Sequence, residues 1–498
     1  MRARPDVAET AQVADTNSVR GFDSQGDALP ESAISPNNLP TDWRWARVRE
    51  IGDVQLGRQR APKHQNGKNM RPYLRVANVF EDRIDLSDVL TMNFTPREFE
   101  TFALRANDIL LNEGQSLHLV GRPALYRDEL PGVCFQNTLV RFRPGPKVDP
   151  KFALTIFRGY MHTGKFQKIA RWTTNIAHLG AQRFSEMPFP LPPLPEQRRI
   201  VAEIEKQFTR LEAGVAALRR VQVSLKHYRA AVLKAACEGR LVPTEAELAK
   251  TGKRKSAFET GGALLARILT ERRRDWKGRS KYKEPATPDG TRLPLLPDGW
   301  TWATAQQLNL SNRPCAYGVL QPGEHLPDGV PLVRVGDIGD GKVDLSTLKR
   351  ISPKIAAQYP RTRLHGGELA ITLVGAIGRT AVIPESLAGG NTARAVGIIP
   401  LTREANAHWV EIWFRNPAKT AEMDSKSHEV ARKTLNLEDV RIASVAIPPA
   451  AEQTRIVAEV ERRLSVVDEL EAVVSANLQR ATRLRQSILQ KAFTGELV

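Results

Sequence analysis

At 498 residues, 41% hydrophobic and 26% charged, the chain is long enough for about two or three packed domains and too apolar to be unfolded along most of its length. The 73 Lys+Arg against 55 Asp+Glu leave a net charge of +18, which favours a polyanion such as nucleic acid as partner. Cys134, Cys237 and Cys315 stand far apart with no Cys-x-x-Cys pair, which excludes a zinc finger or disulfide framework and fits a reducing compartment.

The start, Met1 to Pro5, is basic but lacks the apolar stretch of a signal peptide. No apolar run reaches the roughly 18 residues that cross a bilayer. The expectation is a soluble, cytoplasmic protein.

Residues 1–38 are rich in Ser, Asp, Pro, Asn and Gly and read as a disordered leader. Order is expected from Leu39-Pro40-Thr41-Asp42-Trp43-Arg44-Trp45, where aromatics alternate behind a turn and suggest a first strand that anchors a core. From there to Phe189, short β-type runs alternate with Gly, Asn, Asp and Pro breaks, among them Tyr73 to Val76, Asp108 to Leu111 and Leu139 to Phe142. A globular domain over 39–194 follows from this pattern.

A helical block comes next, over 195–242. Ile200, Ile204, Leu211, Val215, Leu218, Leu225 and Val232 recur mostly at spacings of three, four or seven, a heptad-like stripe that calls for a partner helix. Around 40 residues at 1.5 Å rise make a rod of roughly 60 Å. Residues 243–295 read as a basic connector with a short helix around Ala263 to Leu269, followed by Arg272-Arg273-Arg274. That charge run is either a solvated face or a phosphate contact.

The second half repeats the first. Leu296-Pro297-Asp298-Gly299-Trp300-Thr301-Trp302 echoes the opening at Leu39, and a second globular domain is expected over 296–449. Glu196-Gln197-Arg198-Arg199-Ile200-Val201-Ala202-Glu203 returns 256 residues later as Glu452-Gln453-Thr454-Arg455-Ile456-Val457-Ala458-Glu459, each copy behind a proline pair. The second helix, over 450–498, keeps the register with Ile456, Val460, Val467, Val474, Ala481 and Ile488, and Gly239-Arg240-Leu241-Val242 matches Gly495-Glu496-Leu497-Val498. Two unrelated amphipathic helices would not share that register, so each copy is the other's nearest partner.

Weaker echoes keep their order across the halves: Pro72 to Asn78 with Pro331 to Asp337, Asp85-Leu86-Ser87 with Asp344-Leu345-Ser346, Gly121-Arg122 with Gly378-Arg379, and Asn137-Thr138 with Asn391-Thr392. The halves therefore share one α/β (α+β) fold but differ over most of their surface. The same task on different targets would give that pattern.

Catalytic motifs are missing. Gly336 to Val343 has phosphate-loop spacing, but Val343 replaces the Ser/Thr that would hold magnesium, and Gly339-Asp340-Gly341 reads as a hairpin turn. There is no Gly-x-Ser-x-Gly elbow and no His-Glu-x-x-His, and the 9 histidines lack metal-ligand spacing. Asn416-Pro417-Ala418-Lys419 lacks the second proline and the aromatic of an adenine-methyltransferase loop. No metal or cofactor is expected on this chain.

Together these features resemble the specificity (S) subunits of Type I restriction-modification systems. The resemblance rests on Pro192-Pro193-Leu194-Pro195-Glu196-Gln197-Arg198-Arg199-Ile200-Val201 and its copy from Pro448, on the two Gly-x-Leu-Val endings, and on the two Leu-Pro-x-x-Trp-x-Trp openings. It covers the chain from about residue 39 to the end. The copy departs from it at Ala450-Ala451 and at Thr454, which leaves the two helix starts non-equivalent for partner subunits.

The resemblance implies two target-recognition domains separated by two long helices in an antiparallel coiled coil. Each domain reads half of a split duplex DNA site, and the helices set the unread spacer. Two modification subunits dock on the helices and bring S-adenosylmethionine, while restriction subunits bring ATP and Mg. The chain itself is non-catalytic. A self-contained methyltransferase or nuclease, and a basic coiled-coil scaffold that ignores DNA, are the competing readings.

Candidate DNA contacts are polar residues flanked by chain breakers, because Arg suits guanine and Asn or Gln suits adenine in the major groove. In the first domain these are Arg75, Asn78, Gln115, His118, Arg122, Arg171, Thr174, Asn175 and His178; in the second, Arg334, Asp337, Arg379, Asn391, Arg432, Lys433 and Thr434. Echoed pairs such as Arg75 and Arg334 suit fold-keeping or phosphate positioning, since residues that choose different targets should differ between the halves.

Overall fold

The computed structural model of the chain describes residues 39–497 except 174, 253–257, 340 and 430–432. The expected leader, Thr174 and Arg432 lie outside the described residues. Two compact units emerge, one from the chain up to Leu218 together with Ser475–Val498, the other from Arg219–Val474. Each unit thus holds one globular half and a piece of both long helices.

In the first unit, a four-stranded antiparallel sheet orders Gly52–Leu56, Leu139–Pro144, Ile109–Asn112 and Pro123–Leu125. The apolar runs at Ile109 to Leu111 and Leu139 to Val140 are fully buried, as continuous rather than alternating hydrophobicity requires. Helix Pro150–His162 covers the sheet. It begins with proline behind Asp149, whose carboxylate accepts the Lys151 and Phe152 N–H groups. Its buried face sets Phe157 edge-on to Phe142 at 5.2 Å between ring centres. A smaller sheet orders Cys134–Phe135, Met70–Leu74 and Leu90–Asn93.

The second unit repeats this arrangement strand for strand. Its sheets order Ala316–Tyr317, Val396–Ile399, Leu369–Thr372 and Thr380–Val382, then Asn391–Thr392, Val330–Val333 and Lys349–Ile351. Helix Ala407–Arg415, capped by Asn406, takes the place of Pro150–His162. Trp409 meets Trp300 at 5.5 Å where Phe152 meets Trp43 at 6.4 Å. The Gly336 to Val343 stretch contains the paired strands Ile338–Gly339 and Lys342–Val343, so it is a hairpin and not a phosphate cradle.

The openings become strands Arg44–Arg47 and Thr301–Thr304. Each pairs antiparallel with the strand that precedes a long helix, Pro188–Leu191 and Ser444–Ile447. The helices run from Leu194 to Cys237 and from Ala450 to Thr494. Both stop where glycine takes positive φ, +68° at Gly239 and +75° at Gly495, a helix-ending conformation that residues with a Cβ resist. Each glycine lies against the opening proline of its unit, Pro297 and Pro40, with no room for a side chain.

Within the first unit, Ile200, Val201 and Ile204 share a core with Ile488, Leu489, Ala492 and Phe493, and Arg485 lies over the Phe208 ring at 4.9 Å. Within the second, Val232, Leu233, Ala236 and Cys237 share a core with Ile456, Val457, Val460 and Leu464. Arg229 there binds Asp468 at 2.7 Å and Glu471 at 3.0 Å. In both units the helix segments run antiparallel. Of the stripe, Leu225, Val467 and Val474 are also buried, while Leu211, Val215, Leu218 and Ala481 are half-buried.

The connector forms helix Gly261–Arg274. Its arginines do not share one solvated face: Arg272 is buried, while Arg273 and Arg274 pair with Glu284 and Asp275. Among the described residues no helix is long and apolar enough to cross a membrane.

Candidate nucleic-acid interface

The candidate residues fall into two groups, those that hold turns and those that lie on or beside a small hairpin. Asn78 belongs to the first. It is 2% exposed, its amide donates to the carbonyls of Asp85 and Asp88 at 2.9 Å each, and its oxygen accepts the Arg75 N–H at 3.0 Å. Asp337 does the same work in the other half, accepting the Arg334 N–H at 2.8 Å and its guanidinium at 2.9 Å. Arg75 pairs with Asp88. The Asp-Leu-Ser echoes are turns in which Asp85 and Asp344 accept the Ser87 and Ser346 N–H groups at 3.0 and 2.9 Å.

Asn391 is buried, donates to the Tyr359 carbonyl at 3.3 Å and accepts the Thr362 hydroxyl at 2.5 Å. Arg122 lies over the Phe80 ring at 4.8 Å and donates to the Val79 carbonyl at 2.7 Å; burial pulls its pKa below the usual arginine value. Arg379, its counterpart, is exposed. These groups are committed to internal bonds, Arg379 excepted, and the echoes across the halves are mostly echoes of shared turns.

The second group converges on a hairpin. Strand Arg171–Thr173 pairs antiparallel with Ile176–His178, which pairs in turn with Gly114–Gln115. Gln115, Arg171 and His178 are therefore brought onto one small sheet, with exposed Asn175 at the turn and exposed His118 three residues beyond Gln115. The base is anchored. His178 Nδ1 lies 3.0 Å from Glu113, and Arg183 donates to the His178 carbonyl at 2.6 Å.

The arms are bare. Trp172 is 56% exposed and Ile176 47% exposed. Trp172 lies opposite Ala177 and Ile176 opposite Thr173, so the two apolar side chains project from opposite faces of the ribbon. Ala177, opposite Trp172, is buried in the domain core, so the hairpin is anchored there while Trp172 and Ile176 stay exposed.

The second unit carries a matching hairpin, His428–Glu429 paired with Lys433–Thr434, and Thr434 bridges to Val374 as Ala177 bridges to Gln115. At an offset of 257 residues, Trp172 corresponds to Glu429 and Ile176 to Lys433. Lys433 is exposed and reaches Asp424 at 3.1 Å. The candidates Lys433 and Thr434 thus share a place in the fold with Ile176 and Ala177.

Trp172 and Ile176 were not among the residues expected to touch DNA, because polarity guided that choice. A tryptophan between Arg171 and Thr173 in a breaker-flanked segment was the available signal. No group of three or more His, Cys, Asp or Glu side chains among the described residues is arranged to hold a metal ion.

Comparison with known proteins agrees with this architecture. The family model for the Type I restriction modification DNA specificity domain matches residues 40–217. The Type I restriction enzyme EcoBI specificity subunit of Escherichia coli is 35% identical over 326 residues, covering 65% of this chain and 61% of that subunit. The EcoKI specificity subunit of Escherichia coli strain K12 is 24% identical over 489 residues, covering 93% of this chain and 91% of that one. A chain from a solved structure concerning complex assembly and conformational transition of the type I R-M system has a TM-score of 0.59 at 20% identity, covering 93% of this chain and 100% of its own length, which supports the fold. In sequence the chain is similar to specificity subunits of Type I restriction-modification systems over most of its length.

Proposed function

We propose that each half of this chain reads one part of a split duplex DNA site, and that its hairpin enters the groove to do so. The observation that carries this reading is the pair of hairpins at the same place in the two halves with unlike residues on them. The major groove admits a two-stranded β-ribbon, and side chains there can distinguish all four base pairs. The surplus of Lys and Arg supplies phosphate attraction that positions the protein without reading sequence.

The long helices then act as the ruler for the unread spacer. A helix pair is stiff enough to hold two reading heads in phase with a DNA turn of about 34 Å, which a Gly/Ser linker would not do. Two modification subunits dock on the helices and bring S-adenosylmethionine for adenine methylation. Restriction subunits, where present, bring ATP and Mg. This chain supplies sequence choice and no chemistry.

Methyladenine mapping of the host genome, with and without the gene for this chain, tests the reading. The expected pattern is a split, asymmetric motif carrying one methylated adenine on each strand, lost on deletion. A pattern unaffected by deletion contradicts it.

A further inference from the structure

The first turn of the second long helix is covered by the connector. Glu452, fully buried, accepts the indole N–H of Trp300 and the backbone N–H of Glu245, both at 2.9 Å. Arg455, one turn on, meets the Glu245 carboxylate at 2.5 Å and donates to the Pro243 carbonyl at 3.0 Å. A short segment, Pro243-Thr244-Glu245, therefore engages the helix through one N–H, one carbonyl and one carboxylate.

Among the described residues, the first long helix carries the same pair of side chains without the cover. Glu196 accepts the indole N–H of Trp43 at 3.1 Å, as Glu452 does from Trp300. Arg199, at the position of Arg455, is exposed and makes no hydrogen bond or ion pair among the described residues. Its neighbour Arg198, also exposed, is threonine in the second copy and lines a pocket of about 320 Å³ together with Arg105 and the Arg143–Asp108 ion pair.

We propose that Glu196 and Arg199 form an open docking slot for an extended acidic segment of a partner protein. The second unit supplies the template, with Glu245 as the carboxylate for the arginine and its backbone N–H as the donor for the glutamate. Arg198, exposed and next to Arg199 in the chain, adds a second positive charge at this helix start, which favours an acidic ligand. Glu196 selects the class of ligand. A phosphate backbone has no N–H to offer it and would be repelled by its charge, whereas a peptide meets both groups at once. The two helix starts then differ in what they can bind: one is closed by the chain itself, the other open.

That a partner protein exists rests on the proposed function; the difference between the two helix starts does not. A photoreactive benzophenone amino acid at position 199 of the full chain, assembled with its modification subunit on duplex DNA, provides the test. The expected crosslink joins position 199 to an acidic segment of the partner. A crosslink to residues 1–38 of this chain, a crosslink to DNA, or none at all overturns the proposal.

Arg199→Glu should weaken assembly roughly tenfold and leave the thermal midpoint of the isolated chain unchanged. Arg455→Glu, which breaks the intramolecular copy, should lower that midpoint. Exchanging the crosslinked partner glutamate for arginine should restore assembly of the Arg199→Glu chain. Wild-type assembly with correct DNA selection, together with equal assembly of Arg199→Glu, sinks the slot and leaves the function standing. Failure of the wild-type chain to assemble at all sinks both.

Discussion

Trp43 and Glu196 lie 153 residues apart in sequence, yet the indole Nε1 of one donates to the carboxylate of the other at 3.1 Å. The same bond joins Trp300 to Glu452 at 2.9 Å. It explains why the Leu-Pro-x-x-Trp opening and the Glu-Gln helix start occur together in each half: they are two sides of one joint. The next residue completes it. Gln197 accepts the Asp149 N–H at 2.8 Å and donates to the carbonyls of Pro192 and Lys147 at 2.9 and 3.0 Å, tying the domain's capping helix to the long one.

Because Gln197 is fully buried with three bonds, Gln197→Ala should strand polar groups and cost about 1–3 kcal/mol. Trp300→Phe, which leaves buried Glu452 without its indole donor, should cost more than Trp43→Phe, where Glu196 is half-exposed. Urea denaturation of the three variants checks this. Equal losses for the two tryptophans would show that burial of the acceptor does not matter.

Gly159 faces Phe493 so closely that an added Cβ would lie 2.3 Å from the ring. In the second unit the matching helix position holds Cys237, a much smaller group, whose sulfur lies 3.9 Å from the Ile412 carbonyl. Gly159→Ala should therefore destabilise by about 1–3 kcal/mol through overpacking, and Phe493→Leu in the same chain should recover part of the loss. Thermal melts of the single and double variants decide it, with strict additivity as the contradicting result.

Glu81 bonds Arg158 at 2.8 Å and His162 at 3.0 Å. Burial opposes its ionisation, but the His162 hydrogen bond and the Arg158 charge prevail and hold the carboxyl at about 2 against an ordinary 4.5. A folded-state pKa below the unfolded one gives stability that is present above about 4.5 and lost as pH falls towards about 2. Glu81→Gln should flatten that acid limb in denaturation series taken across the window. An unchanged slope would show that this cluster does not contribute.

Asn78 and Trp172 should separate folding from reading. Asn78→Ala removes three turn bonds from a buried site and should cost about 1–3 kcal/mol. Trp172→Ala should leave the melt unchanged and weaken binding of the cognate duplex by about 1–3 kcal/mol, the worth of a large apolar ring buried in the groove. Melting curves and DNA titrations of both variants at fixed salt give the comparison. A Trp172 variant that melts lower but binds normally would make the ring structural.

The duplicated architecture was legible because its signals are local and repeated: the heptad stripe, the glycine stops and the Trp openings all lie in short stretches that appear twice. The candidate site was legible only in part. Asn78, Asp337 and Asn391 look like base readers in sequence, but Asn78 and Asp337 are spent on local turn bonds, and Asn391 on Thr362, which only the folded chain brings beside it. Trp172 presents the opposite case. An aromatic residue reads as core by default, and only the folded hairpin shows Trp172 exposed while Ala177 opposite it is buried. Arg272 was misjudged for the same reason, since its burial depends on what packs against its helix.

The central claim is that the two hairpins choose bases independently, each for its own half of the site. Methyladenine mapping in a host whose chain carries Lys433→Ala and Thr434→Ala tests it most directly. The account predicts that the bases specified in one half of the methylated motif relax or change while the other half and the spacer stay fixed. An unchanged motif, or the same change in both halves, would contradict it.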